Sequence, residues 1–290
     1  MSFAPAGTYE DEWYDIVRKA RSGLEITAAE AARRAGIAGD EWAKLEAGGG
    51  ANGAAAREVP AEAILRAAAG ALDLSPDRLA EFALRPSFPR FTEPKLPFKR
   101  LTLGTGFVIN CYLLGCPSTK KALIVDPGYE GPRILAAVRE AGLKLAAILI
   151  THAHSDHVGA LGEVLGSAKV PAYAHEAEKP ELSGHAARVT FVGDGAEAKV
   201  GELVLTALHV PGHTPGSTSW LARSPGLVFT GDALFARSMG RCGGSGAVYA
   251  RQLAAVRERL LSLPPGTGVG PGHGPPTTMG DEAALNPFFP

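Results

Sequence analysis

The feature that most constrains the fold of this 290-residue chain is a nine-residue cluster, Thr-His-Ala-His-Ser-Asp-His-Val-Gly. It directly follows an apolar run, Leu145 to Ile150, that has the composition of a buried strand in a parallel sheet. His152 and His154 are two residues apart, so in an extended segment their side chains point the same way and can bind one ion. Asp156 and His157 begin the next element and turn towards a neighbouring position. The cluster therefore predicts ligands for two adjacent metal ions.

Three further candidate ligands lie between small residues, which allow the backbone to approach an ion closely. They are His213 in Pro-Gly-His-Thr-Pro-Gly, Asp232 in Thr-Gly-Asp-Ala and His273 in Pro-Gly-His-Gly-Pro. Each follows an apolar, strand-like run, so all three are expected at strand ends. Imidazole and carboxylate ligands suit a zinc site that stays open to water. The sequence therefore predicts a catalytic metal centre.

These motifs, in this order, resemble those of the metallo-β-lactamase fold superfamily. Within it, several segments look like the short hydroxyacylglutathione hydrolase (glyoxalase II) type. They are Gly240-Arg241, 271–280, 286–288, 110–114 and 125–128. The loop after Arg241 departs from that type because it reads Cys-Gly-Gly-Ser-Gly.

The resemblance covers residues 99–288 and implies an α+β fold, a four-layer αββα sandwich with the metal site at one edge between the sheets. It implies that two Zn²⁺ ions are bound, although iron or manganese also suits such ligands. The implied first-metal ligands are His152, His154 and His213, the second-metal ligands are Asp156, His157 and His273, and Asp232 bridges the two ions. Asp156 and Asp232 are the implied catalytic residues, and Asp126 is expected to orient a ligand.

The expected function is hydrolysis of a small-molecule thioester or ester by a metal-bridging hydroxide, as in glyoxalase II. One alternative is a mononuclear-iron, persulfide dioxygenase-like enzyme. The full-length glyoxalase II enzymes hold glutathione with a C-terminal helical domain, which we do not expect in a chain ending at Pro290. Of the remaining histidines, His209 is expected to be packed or partly exposed and His185 to lie in a surface loop, and His175 could line the mouth of the site. Cys242 is near the expected cleft, but a reactive role is not favoured.

Residues 1–85 are rich in Ala, Leu, Arg and Glu with helical spacing, which predicts a small all-α domain. Thr27 with Glu30 predicts a capped helix, and Ser75 opens the last helix of the section. The section resembles a phage-repressor-like helix-turn-helix module, in which the segment 39–46 would be the recognition helix.

The charge of this section argues against DNA binding. Residues 10–90 contain 14 acidic and 11 basic side chains, and the segment 39–46 carries three acids and one lysine. DNA affinity comes mainly from phosphate neutralisation. We therefore favour an accessory or dimerisation module, giving a homodimer. The alternative is a regulatory rather than an enzymatic function: a DNA-binding regulator with a metallo-hydrolase-fold sensor domain.

Four prolines in residues 86–98 predict an extended linker, so that residues 99–290 form the catalytic domain. In that domain we expect helices at 132–141, 156–165 and 250–261, and a turn at Gly104 to Gly106. Strands are expected at 101–103, 107–114, 122–125, 145–150, 171–174, 189–192, 203–210, 217–222, 227–230 and 266–269. No apolar stretch is long enough for a membrane span. Three cysteines and no recognisable signal peptide favour a cytoplasmic protein.

Overall fold

The computed structural model describes residues 9–48, 59–106 and 108–290. The first section of this part of the chain contains the five helices α1 (Trp13–Gly23), α2 (Ala28–Ala35), α3 (Gly39–Ala47), α4 (Glu62–Ala71) and α5 (Pro76–Leu84). The two predicted caps are present: the Thr27 side chain accepts a hydrogen bond from the Glu30 N–H, and the Ser75 side chain accepts one from the Arg78 N–H. The fourth helix begins at Glu62, with Ala61 as its N-cap.

Among the described residues, twelve strands form two six-stranded sheets. Sheet 1 has the order β1-β2-β3-β4-β5-β6 and consists of β1 (Phe98–Leu103), β2 (Ile109–Gly115), β3 (Lys121–Val125), β4 (Lys144–Leu149), β5 (Ala172–His175) and β6 (Val189–Val192). Its first three strands are antiparallel, and β3 to β6 are parallel. The helices α6 (Gly131–Glu140), α7 (Ser155–Val158) and α8 (Leu161–Ser167) connect parts of this sheet.

Sheet 2 has the order β12-β11-β10-β9-β8-β7. Its strands are β7 (Glu197–Val200), β8 (Leu203–His209), β9 (Thr218–Ala222), β10 (Leu227–Gly231), β11 (Gly268–Pro271) and β12 (Thr277–Thr278). The pairing is antiparallel except between β10 and β11, which are parallel. Helix α9 (Gly246–Ala255), which continues into a π-helical turn (Val256–Leu260), precedes β11, and α10 (Met279–Leu285) follows β12.

Strand β2 shows why the two sheets stack face to face. Successive side chains of a strand point to opposite faces. Cys111 and Leu113 pack with the helices that cover the outer face of sheet 1, whereas Tyr112 and Leu114 pack against sheet 2. Both faces of β2 are therefore buried, and helices lie outside both sheets, which gives the expected αββα layering.

The helical section shares one hydrophobic core with the outer face of sheet 2. Residues from all five helices, including Trp13, Trp42, Leu65 and Phe82, belong to the same buried cluster as Val228 of β10. Between α5 and β1, a fully described part of the chain, residues 86–97 form neither helix nor strand. Whether this segment divides two domains stays a prediction, but the helices are packed onto the sandwich.

Several predicted elements differ in the structure. The single helix predicted at 156–165 is two helices, α7 and α8, because the Ala160 N–H donates to the carbonyl oxygens of Pro127 and Gly128, both at 3.0 Å. The helix predicted at 250–261 begins earlier, at Gly246, and ends in the π-helical turn. Strand β7, with its alternating exposed and buried residues, and the terminal α10 were not predicted.

The predicted turn at Gly104 to Gly106 connects β1 and β2, and both glycines have positive φ. The predicted start of the next strand, Phe107, is outside the described residues, as is most of the predicted Gly/Ala loop at 48–56. No described helix has both the length and the apolar character needed to cross a bilayer.

The contact between α1 and α9 generates a stability prediction. Gly23 ends α1, and a Cβ placed there would be 2.4 Å from Cδ2 of the buried Tyr249 ring. Replacing an exposed helical glycine with alanine ordinarily stabilises by roughly 0.5–1 kcal/mol. We expect Gly23→Ala to destabilise instead, by about 1–3 kcal/mol, because the packed ring must move.

Gly70 is the matched control, because it is helical and a Cβ there has no neighbour within 4 Å. Urea unfolding should show Gly70→Ala to be neutral or stabilising. If Gly23→Ala behaved in the same way, the described contact between the helical section and α9 would be wrong.

Candidate metal centre

All seven predicted ligands meet at one edge of the sandwich, where the carboxyl ends of strands from both sheets converge. His152, His154, Asp156 and His157 follow β4 of sheet 1. The other three residues follow strands of sheet 2: His213 after β8, Asp232 after β10 and His273 after β11. The expected strand-end placement is therefore what the structure has.

One group consists of three imidazoles. Nδ1 of His154 is 3.0 Å from Nε2 of His152 and 2.9 Å from Nε2 of His213. Nitrogen atoms of all three lie within 4.8 Å of one another. His152 is buried, whereas His154 is exposed, so the group is open to solvent on the His154 side. The arrangement can hold one cation and leave it accessible.

A second group consists of Asp156, His157 and His273, whose ligating atoms also lie within 4.8 Å of one another. Oδ2 of Asp156 is 3.2 Å from Nε2 of His273 and 3.5 Å from Nε2 of His157. Both imidazoles are buried, and the carboxylate is partly exposed. The group can therefore hold a second cation beside the first.

The carboxylate of Asp232 contacts residues of both groups. Its Oδ2 is 3.5 Å from Nε2 of His213 and 3.5 Å from Nε2 of His273. Its Oδ1 is 3.3 Å from Nε2 of His157. Asp232 therefore lies between the two groups, and its bridging of two ions stays a prediction.

The charges of the site are strongly coupled. Burial by itself would raise the pKa of Asp232, but the imidazoles of His273 and His157 hold it well below its ordinary value. Burial would lower the pKa of His157, but the carboxylates of Asp232 and Asp126 raise it to about 10. Burial lowers the pKa of His152, which keeps that imidazole neutral. Metal coordination requires an ionised carboxylate and neutral imidazoles, so Asp232 and His152 are in the required states, whereas His157 must lose its proton when an ion binds.

Two observations fit bound metal ions. Nε2 of His157 and Oδ1 of Asp232 are buried and lie 3.3 Å from each other, but neither makes a well-formed hydrogen bond, although buried polar atoms ordinarily do. A Cβ at Gly272 would be 2.3 Å from Oδ1 of Asp232 and 2.7 Å from Cε1 of His157, so only glycine fits there. The all-nitrogen-and-oxygen donor set suits zinc and also suits iron.

Asp126 lies behind the second group, as predicted for a residue that orients a ligand. Its Oδ2 is 2.9 Å from Nδ1 of His157 and accepts a hydrogen bond from the Thr151 hydroxyl at 2.6 Å. Its Oδ1 accepts one from the Thr151 N–H at 2.8 Å. The bond to Nδ1 turns Nε2 of His157 towards Asp156 and Asp232.

The other predicted residues lie outside the two groups. His175 is buried and stacks on His209, with ring centroids 4.0 Å apart, so it packs rather than lining the mouth of the site. The Arg241 carbonyl, which directly precedes the loop that departs from the glyoxalase II pattern, is 2.8 Å from Nδ1 of His213. Burial raises the pKa of the Cys242 thiol, which does not favour a reactive thiolate.

Sequence reasoning missed the contribution of the helical section to the rim of the site. Asp11 accepts hydrogen bonds from the Lys19 ammonium and the Ser238 hydroxyl. The Lys19 Nζ lies 5.1 Å above the Phe235 ring, and that ring meets His273 edge-on at a centroid distance of 5.8 Å. The contacts of Asp11 with Ser238 and of Lys19 with Phe235 join residues more than 200 positions apart in sequence, so no local signal could reveal them. Sequence reasoning also missed Glu178, whose carboxylate accepts hydrogen bonds from Ala153 and Thr214, next to predicted ligands. Its position just past a predicted strand was the available signal.

Comparisons with known proteins agree with this geometry. The sequence profile of the Metallo-beta-lactamase superfamily matches residues 104–273. The chain is 37% identical over 210 residues to the Probable metallo-hydrolase YqgX of Bacillus subtilis, which covers 67% of this chain and 98% of the relative. It is 32% identical over 201 residues to the Hydroxyacylglutathione hydrolase GloC of Haemophilus influenzae, covering 64% of this chain and 94% of the relative. The crystal structure of TTHA1623 in a di-iron-bound form superposes with a TM-score of 0.57 at 37% identity, covering 66% of this chain and 99% of that chain.

The contact between Asp126 and His157 generates a prediction about metal affinity. We expect Asp126→Ala to weaken binding at the Asp156-His157-His273 group by roughly 10–100-fold, as is typical when the residue behind a ligand is lost. Competition titration with a chromophoric chelator measures this affinity. Asp194→Ala is the control, because Asp194 bonds to the backbone N–H of His209, which is not a predicted ligand. Unchanged metal content and affinity in Asp126→Ala would show that Asp126 does not orient a ligand.

A second prediction concerns the protonation of His157 in the metal-free protein. Its folded-state pKa of about 10 is above the ordinary value of 6.5, so its proton contributes stability that is fully present below pH 6.5. That contribution is lost as the pH rises through about 10. We expect the imidazole NMR resonance of His157 to titrate near pH 10 without metal and to stop titrating when zinc is added. Titration near pH 6.5 would show that the neighbouring carboxylates do not raise the pKa of His157.

Proposed function

The chain belongs to the metallo-β-lactamase superfamily, and from this premise we propose that it hydrolyses a thioester or ester at a two-metal centre, in the manner of the hydroxyacylglutathione hydrolases. One observation carries the proposal. The buried carboxylate of Asp232 contacts His213 of one potential ligand group and both His157 and His273 of the other. A shared carboxylate between two adjacent ligand groups is the arrangement that a two-metal hydrolase needs.

The proposed chemistry depends on an activated water molecule. Metal ions bound at such a site supply hydroxide near neutral pH, by lowering the pKa of bound water from about 16 to about 7. In this chain, the ionised Asp232 and the neutral His152 and His213 are the residues ready to bind cations. Asp156 is also ionised, because its hydrogen bond to His273 overcomes the effect of burial on its pKa. We propose that its partly exposed carboxylate also orients the attacking water.

A thioester is the favoured substrate for a chemical reason. Its thiolate leaving group needs little protonation, so the reaction does not depend on a general acid at the site. The relative named a hydroxyacylglutathione hydrolase, 32% identical to this chain, supports the same substrate class. We also propose that glutathione is the thiol component of this thioester.

Zinc is the proposed metal, and iron is the alternative. The ligand set suits both metals. A related protein has been solved in a di-iron-bound form, which supports iron as a metal of this scaffold. The second group, Asp156-His157-His273, has all its ligating atoms close together, which favours two metals over the single iron of a persulfide dioxygenase-like enzyme.

For the helical section we propose an accessory or dimerisation role in preference to DNA binding. Two of its arginines, Arg33 and Arg34, are both paired with Glu30, and Arg21 is paired with Glu46. These cations are therefore engaged within the module rather than presented to phosphates. The three cysteines are free thiols, which supports the proposed cytoplasmic location.

The decisive test combines metal analysis with turnover of S-lactoylglutathione. We expect about two zinc equivalents per chain and zinc-dependent release of glutathione. His213→Ala should lower kcat/KM by more than the roughly 10–100-fold seen when only a residue behind a ligand is lost. His185→Ala is the control, because His185 lies in a 3₁₀ turn away from both groups.

Two outcomes would contradict the proposal. A zinc-loaded protein that hydrolyses neither this thioester nor simple aryl thioesters and esters would exclude the proposed reaction. One iron per chain with oxygen uptake on glutathione persulfide would replace it with the dioxygenase alternative.

A further inference from the structure

Glu178 is a buried carboxylate behind the His152-His154-His213 group. It ends a 3₁₀ turn, Glu176–Glu178, that directly follows β5, and it is 2% exposed. The His175 side chain accepts a hydrogen bond from the Ala177 N–H and so caps this turn. The turn directs Glu178 towards the site edge, where two predicted ligand loops meet.

The two carboxylate oxygens of Glu178 bind different loops. Oε2 accepts a hydrogen bond of 2.8 Å from the Ala153 N–H. Oε1 accepts one of 2.7 Å from the Gly216 N–H and one of 2.8 Å from the Thr214 hydroxyl. Ala153 separates His152 from His154, and Thr214 directly follows His213. One side chain therefore ties together the two loops that carry all three imidazoles of the group.

The surroundings of Glu178 are built around its carboxylate. Thr214 is held in turn by Ser217, whose hydroxyl oxygen accepts a hydrogen bond of 2.9 Å from the Thr214 N–H. A Cβ at Gly216 would be 2.6 Å from Cγ of Glu178, so glycine is needed for this close approach. These contacts leave little freedom for the carboxylate to take another position.

Burying a carboxylate costs free energy unless it is hydrogen-bonded and lies near a compensating positive charge. Among the residues that the structure describes, no Lys or Arg forms an ion pair with Glu178, and its hydrogen-bond donors are neutral groups. A buried carboxylate without a cationic partner ordinarily destabilises a fold. A nearby bound cation would supply the missing positive charge.

We propose that Glu178 is a positioning residue for the first metal site: it holds the His152-His154 loop and the His213 loop in the arrangement that binds the ion. The inference rests on the proposed metal binding. It does not depend on which substrate is hydrolysed. Among the described residues, the hydrogen bonds of Glu178 come from Ala153, Thr214 and Gly216, in the loops of the first group, so we expect the effect to be specific to that group.

The test uses Glu178→Gln in two single-site backgrounds of the full chain. The glutamine amide is isosteric, but its NH₂ would face the Ala153 N–H donor or the Thr214 and Gly216 donors, so one loop loses its anchor. In the His273→Ala background, which retains the first group, we expect Glu178→Gln to weaken zinc binding by roughly 10–100-fold. In the His154→Ala background, which retains the second group, we expect zinc affinity to be unchanged.

The absorption spectrum of bound Co²⁺ is a second readout, because it reports the ligand geometry rather than stability. In the His273→Ala background, Glu178→Gln should change the position or intensity of the cobalt bands. Glu282→Gln is the control for general loss of a buried carboxylate, because Glu282 binds Arg237 and Asn286 and has no contact with the first group. It should lower the melting temperature without a selective effect on the first group.

Thr214→Val keeps the inference testable if Glu178→Gln does not fold. It removes one donor to Oε1 and leaves the charge and the bond from Ala153 in place. We expect a smaller loss of zinc affinity, again only at the first group. Wild-type zinc affinity and cobalt spectrum in either variant, or equal losses at both groups, would overturn the proposal.

This test separates the inference from the proposed reaction. If the wild-type protein binds two metal ions but hydrolyses no thioester or ester, the proposed function fails and the affinity comparison still decides the role of Glu178. If hydrolysis is confirmed and Glu178→Gln affects neither metal group, only the positioning role fails.

Discussion

The interaction on which the site depends is the contact of one buried carboxylate with imidazoles from both sheets. Asp232 follows a strand of sheet 2 and lies 3.3 Å from His157, which follows a strand of sheet 1. Burial alone would favour the neutral acid, but the surrounding imidazoles keep the carboxylate ionised. Because the charge is stabilised only when the strand ends converge, the electrostatics of the site and the stacking of the sheets are coupled.

Close backbone approach is the second requirement of this edge. A Cβ at Gly128 would be 1.6 Å from the Asp156 carbonyl oxygen, and one at Gly240 would be 2.0 Å from the Asp232 carbonyl oxygen. A side chain at either position would push a ligand-bearing loop away from its neighbours. The glycines around the predicted ligands therefore act by letting loops from different strands pack within contact distance, which is a prerequisite for short metal–ligand bonds.

The helical section packs onto the sandwich through a shared hydrophobic core. Its buried residues continue the core on the outer face of sheet 2, and Asp11 and Lys19 reach the loop that follows Asp232. The Phe235 ring lies between Lys19 and His273. A section that resembles a DNA-binding module in sequence thus forms one side of the rim of the candidate metal centre. Lys19 of α1 contacts Phe235, and Phe235 contacts His273. A movement of α1 relative to the sandwich would therefore change the surroundings of a predicted ligand.

The sequence by itself determined the residue types of the site and their place at strand ends, because both follow from local patterns. An apolar run predicts a buried strand, and a strand of known direction presents the residues after it at one edge. The strand predicted at 189–192 agrees with β6, and the caps at Thr27 and Ser75 were visible for the same local reason.

Only the tertiary structure decided which side chains share each group and what holds them there. The helix break after Val158 comes from hydrogen bonds of Ala160 to Pro127 and Gly128, about thirty residues earlier in the chain. Glu178 binds donors that are 25 to 38 residues away. Such contacts depend on how strands and loops pack, so the spacing of residues along the chain cannot predict them. The physical reason is that a carboxylate or imidazole gains its partners only when separate segments meet in space.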